Sequence, residues 1–212
     1  SSAASDVYKR QFYIGYLYWM IASYIIAEAS ASISFEKQVG TIEQIFLKPV
    51  SVLQILTLRT FVMFSISVLK FGILFLIVSL TLKITFTVTP AVLLIFLISI
   101  IGFTGIGIGL SGLTLLFAKT ASFESIVSYG LLLISGTVIS YQNMPDIIFK
   151  IIRILPFVLE IDISQKVLKT GIISIPDFFL VLLSNVAMFC LGCLVFQFFL
   201  KRVKRYGVMN KY

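Results

Sequence analysis

The chain has 212 residues, 59% of them hydrophobic and 12% charged, with a mean hydropathy of +1.07 and a net charge of +8. A soluble domain carries about 25% charged residues, so this composition excludes a water-coated globule and predicts an all-α, polytopic membrane protein. Nucleic-acid binding is excluded too, because the basic residues gather at the ends of apolar runs and leave no soluble basic face.

Apolar runs near the ~20 residues that a spanning helix needs predict about five spans, over roughly 12–33, 55–82, 91–117, 126–139 and 178–200, in a single transmembrane domain covering 1–212. The first begins YIGYLYWM, and its Tyr and Trp rings suit the headgroup level. The stretch 141–176 has a different texture. Ile147, Ile148, Ile151, Ile152 and Leu155 share one helical face and Lys150 and Arg153 the other, as in an amphipathic interfacial helix, until Pro156 interrupts it. Asp146, Glu160, Asp162 and Asp177 in and beside this stretch read as solvated or interfacial charges.

Lys201, Arg202, Lys204 and Arg205 close the last span and predict a cytoplasmic C-terminus. Counting back over five spans places the N-terminus outside, the loop 34–54 in the cytoplasm and 141–176 outside. An external N-terminus that does not begin as a signal peptide raises the expectation of a sixth span ahead of Ser1.

The loop holds FEKQVGTIEQIFLKPVSVLQ. Gly40 permits a sharp turn, Thr41 to Gln44 has capping-box spacing, and Ile42, Ile45 and Phe46 share a face. Pro49 disfavours helix at Lys48, and Ser51 to Gln54 repeats the capping pattern. So short a helix is unstable alone. The headgroup layer, the rest of the chain or a partner protein must pack on it.

Glu36, Gly40-Thr41, Glu43, Pro49 and Ser51 resemble the E-x-x-x-G-T-x-E pattern and following Pro-x-Ser of type-2 ABC exporter permeases. The likeness extends over most of the chain. It implies six spans, a cytoplasmic coupling helix, an external re-entrant hairpin before the last span, and a pathway formed by two such subunits, either two copies or a pair with a paralogous permease. It also implies a separate ATP-binding cassette subunit carrying ATP and Mg, with no cofactor in this chain. Glu36, Gly40, Thr41, Ile42, Glu43, Ile45, Phe46 and Pro49 are then the partner-binding residues. The chain is a transport subunit rather than an enzyme, set in a bacterial plasma membrane, and its cargo is a drug, an antibiotic or peptide, or another hydrophobic compound. The alternative is an ATP-independent membrane protein, a secondary transporter or a scaffold, against which stands the lack of a convincing internal repeat.

Other motifs carry less. Gly107 to Gly112 fits G-x-G-x-x-G but lies inside a span without the strand and acid that a dinucleotide site needs. Gly105, Gly109 and Gly112 instead form a small-residue packing face. Cys190 and Cys193 read as core thiols, and the absence of histidine argues against a metal site. Glu28 and Lys70 are the charges deepest in the spans and are candidates for a polar role along the pathway.

Overall fold

Backbone amides and carbonyls inside lipid must bond to one another, so long uncharged runs fold as helices. The computed structural model describes residues 2–47, 49–62, 65–66, 68–69, 89–117, 121–138, 141 and 144–206, and every regular element among them is helical. In chain order these are α1 (Ser2–Val39), α2 (Ile42–Leu47), α3 (Val52–Val62), α4 (Pro90–Leu116), α5 (Ala121–Ile134), α6 (Asp146–Ile152), α7 (Pro156–Thr170) and α8 (Ile175–Tyr206). Among the described residues, Pro90–Leu116 and Ile175–Arg205 are long and apolar enough to cross a bilayer, while Val52–Val62 and Phe123–Ile134 are apolar but shorter.

Helices α4 and α8 form the spine. A Cβ placed on Gly105 would collide with the α8 backbone at Phe189, and one on Gly192 would collide with the Gly105 carbonyl. Further along, a Cβ on Gly109 would lie 3.4 Å from the Gly192 Cα, and one on Gly112 would lie 3.2 Å from the Phe196 Cα. Without a hydrophobic drive between helices in lipid, such close approach is what makes them adhere, through dispersion and backbone contact. The pairing advances in step along both helices, so α4 and α8 run parallel.

Helix α1 is parallel to α4 as well. Gly107 packs on Ile25 and Ala29, and further along Lys37 reaches the carbonyl of Thr114. Helix α5 opposes α1, since Gly15 lies against the Ser135 carbonyl and Trp19 Nε1 donates to the Ser128 carbonyl at 2.8 Å. Three parallel long helices oblige the chain to return between them, and α5 makes the second return. The C-terminal ends of α1, α4 and α8 therefore meet α2 at one end of the bundle. There Ile33, Ile42, Ile45, Val52, Leu56, Leu115 and Val203 belong to one buried apolar cluster. At the other end, α7 packs on the first halves of α1, α4 and α8 in a second cluster.

Two elements differ in detail from the expected ones. The fourth span is expected over 126–139, but α5 has 14 residues and gives way at Ser135 to Gly136, whose φ of 77° belongs to the left-handed region. Its length of about 21 Å at 1.5 Å per residue falls short of the ~30 Å hydrocarbon core. The stretch 141–176 is also more than an interfacial helix. Helix α6 buries no residue, as its amphipathic pattern predicts, yet Pro156 opens a further helix. This α7 buries Phe157, Val158, Ile161, Ile163 and Val167 inside the bundle and ends at Gly171, φ 76°.

Candidate functional site

The corner between α1 and α3 is built from local chemistry. Gly40 takes φ 74°, which L side chains rarely adopt, and no atom crowds the place of its missing Cβ. Its amide donates to the Lys37 carbonyl at 3.2 Å and the Thr41 amide donates to the Glu36 carbonyl at 3.0 Å, closing the end of α1. Glu36 is buried, and its carboxylate accepts from Thr41 Oγ1 and from Arg59 Nη1. Thr41 thus gives its hydroxyl proton to Glu36 on α1. At the start of α3 the expected capping box is present in full. The Ser51 amide donates to Gln54 Oε1 at 3.2 Å, and the Gln54 amide donates to Ser51 Oγ at 3.3 Å.

Of the three packing partners open to α2, the chain itself is one. Ile42 and Ile45, which the resemblance would turn toward a partner, face inward at 7% exposure each. A six-residue helix has few apolar side chains, and these two are spent on closing the end of the bundle. Val39, Gln44 and Leu47 are left facing out, Leu47 at 85% exposure. The side chains of Glu43 and Phe46 lie outside the described residues, and so do Lys48 and Lys70. Pro49 is exposed and Glu28 is half-buried on α1. Lys37 holds the corner to the spine by donating to the carbonyls of Thr114 (2.9 Å) and Leu115 (3.3 Å) in the last turn of α4, where orphan carbonyls and the helix dipole favour a cation.

A second polar group occupies the opposite end, where the sequence assigns no site. Glu160 of α7 has no exposed surface, which corrects its reading as a solvated carboxylate. Asn185 of α8 is equally enclosed, and its Nδ2 donates to Glu160 Oε1 at 2.6 Å and to the Val181 carbonyl at 2.8 Å. Gly102 of α4 makes room, since a Cβ there would strike the Asn185 amide oxygen. Nearby, Tyr18 of α1 bonds Ser164 of α7 at 2.9 Å, and Ser99 of α4 donates to the Ile95 carbonyl at 2.8 Å. The signal was in the sequence. Phe157, Glu160, Ser164 and Val167 recur at three- and four-residue spacing, the stripe of a buried helix face, and Asn185 is a lone amide within an apolar run.

Outside this pocket, ion pairs pin the hairpin. Arg153 Nε meets Asp162 Oδ2 at 2.9 Å between α6 and α7, and Lys166 Nζ meets Asp177 Oδ2 at 2.7 Å between α7 and α8. Asp177 precedes the apolar run that starts at Phe178. The Lys166 and Ser174 hydrogen bonds hold its carboxyl below the usual carboxylate range.

Three parallel long helices, a self-packed surface helix at one end and an inserted hairpin at the other, with two helices long and apolar enough to cross a bilayer, fit an α-helical membrane protein. The family model described as ABC-2 type transporter matches residues 2–169, and the chain belongs to that family. Its members are membrane components of ABC transporters that normally work with an ATP-binding cassette subunit. No curated protein and no solved structure matches the chain.

Proposed function

We propose that this chain is the pathway-forming subunit of an ATP-driven exporter, paired in a plasma membrane with a second copy or a paralogous permease. Its ATPase, with ATP and Mg, is a separate polypeptide that docks on α2. The observation that carries this reading is the corner itself. A six-residue helix is anchored from behind by Ile42 and Ile45 and the corner is tied through Glu36 to Arg59, yet the helix presents Gln44 and Leu47 outward beside the exposed Val39 at the end of α1. Such an element is stiff toward its own subunit and apolar toward a partner, as a lever must be. Closure of the ATPase would then push on α1 and α3 together, because both meet at Glu36. The basic end of α8 lies at the same end of the bundle, which fits a cytoplasmic placement for both. The apolar composition suits a drug, an antibiotic or peptide, or another hydrophobic cargo.

The test is purification in mild detergent with the ATPase, followed by ATP turnover. Leu47→Asp places a charge at the centre of the docking face and is expected to reduce the permease-dependent turnover at least tenfold, about the 1.4 kcal/mol of a modest hot spot, with the permease still folded. Co-purification and turnover that both survive the change would overturn the docking site.

A further inference from the structure

The pocket between α7 and α8 has an uneven hydrogen-bond balance. Glu160 Oε1 is satisfied by the Asn185 amide, but Glu160 Oε2 and Asn185 Oδ1 have no partner, although neither residue has exposed surface. The amide cannot simply be turned round, because its Nδ2 already serves two acceptors, Glu160 Oε1 and the Val181 carbonyl. Both orphans are oxygens, one on each member of a bonded carboxyl–amide pair.

No cation answers this carboxyl among the described residues. Helix α4 carries no charged side chain, and α8 has none between Asp177 and Lys201. On α7, Asp162 and Lys166 pair outward with Arg153 and Asp177, and Lys169 is exposed. Helix α1 brings Tyr18, a neutral phenol bonded to Ser164. A lone carboxylate held so deeply is strongly disfavoured, and each unsatisfied oxygen adds to that cost. One hydrogen removes all three penalties. Placed on Glu160 Oε2, it neutralises the carboxyl and donates to Asn185 Oδ1.

We propose that Glu160 and Asn185 form a proton-binding site that latches α7 onto α8. The bound ligand is a single proton taken from solvent at Glu160 Oε2. The proton favours docking of the hairpin helix, and its loss leaves a buried charge that the Asn185 amide stabilises in part and that α7 relieves further by moving toward water. The docked state thus binds a proton that the undocked state releases, so docking weakens as pH rises. Lys166–Asp177 and Arg153–Asp162 guide the hairpin from outside, and the protonated pair decides whether it seats.

The experiment uses the full chain in lipid nanodiscs. Infrared spectroscopy at neutral pH is expected to show the carbonyl band of a non-ionised carboxylic acid. Glu160→Gln removes that band while keeping a matched amide–amide pair. Asn185→Leu shifts it by removing the amide partner, which assigns the band even if the Gln variant fails to fold. The melting temperature of the unaltered chain is expected to fall as pH rises, and that of Glu160→Gln to stay level over the same range. A neutral-pH spectrum without the acid band would overturn the proposal. So would a band untouched by both variants, or a melting temperature that follows sodium at fixed pH and ionic strength, which would place a metal cation in the pocket instead.

Discussion

The two ends of the bundle solve the same problem by opposite means. At the α2 end, charged groups are paired, the buried Glu36 with an Arg59 that reaches water. Glu36 bonds Arg59, and Lys37 caps α4. At the α7 end, water is excluded and the central pair is a carboxyl and an amide with no counter-charge among the described residues. Surface pairs tolerate sliding and reforming, whereas a buried polar pair is either complete or expensive. The first construction suits an element that exchanges partners, and the second suits one with two discrete positions. The glycine spine of α4 and α8 joins them.

The change expected to have the largest effect acts on both ends. Gly192→Val drives a side chain into the Gly105 carbonyl, and overpacking against backbone is expected to cost about 3 kcal/mol or more. Thermal unfolding in detergent should show early loss of the whole bundle. Next comes Arg59→Ala, which leaves Glu36 buried with Thr41 as a donor. Arg59 is 43% exposed, so solvent screening keeps the expected loss to about 1–2 kcal/mol. It should loosen 36–47 in hydrogen exchange and leave α7 unchanged. Gly40→Ala forces an L side chain into the left-handed region for about 1–2 kcal/mol, again confined to the α2 end. The smallest effect is that of Lys166→Ala. The exposed pair is worth less than about 1 kcal/mol and is screened by salt. Because Asp177 is held below its unfolded value of 3.8, the pair's contribution is present above that pH and is lost as pH falls through the folded value. Acid therefore weakens the outer pin, and alkali weakens the Glu160 latch. A titration of α7 exchange separates the two.

What was legible in the sequence was local. Gly40, Pro49 and the Ser51–Gln54 capping box announce a break and two helix starts because they act within four residues. The small faces of α4 were legible for the same reason, as a repeat at helical spacing. What failed depended on burial and packing rather than on local pattern. The Thr41 hydroxyl serves Glu36, a choice set by the burial of that carboxylate. The fourth apolar run continues to Ile139, but the helix stops at Ile134, ahead of a positive-φ glycine. Glu160 and Asn185 lie 25 positions apart. Either is unremarkable alone, and only the docking of α7 beside α8 brings them together. Pro156 ends one amphipathic pattern, but it also stands at the first turn of the next helix, and following the stripe through it would have exposed the buried face.

The most direct measurement is hydrogen exchange over 36–47 in nanodiscs, first with the permease alone and then with the ATPase and nucleotide added. Because Ile42 and Ile45 seat α2 on its own subunit, the helix-bonded amides 45–47 should be protected before any partner is present, and more strongly once the ATPase docks on Gln44 and Leu47. Free exchange in the isolated permease, or protection that the loaded ATPase leaves unchanged, would contradict the account.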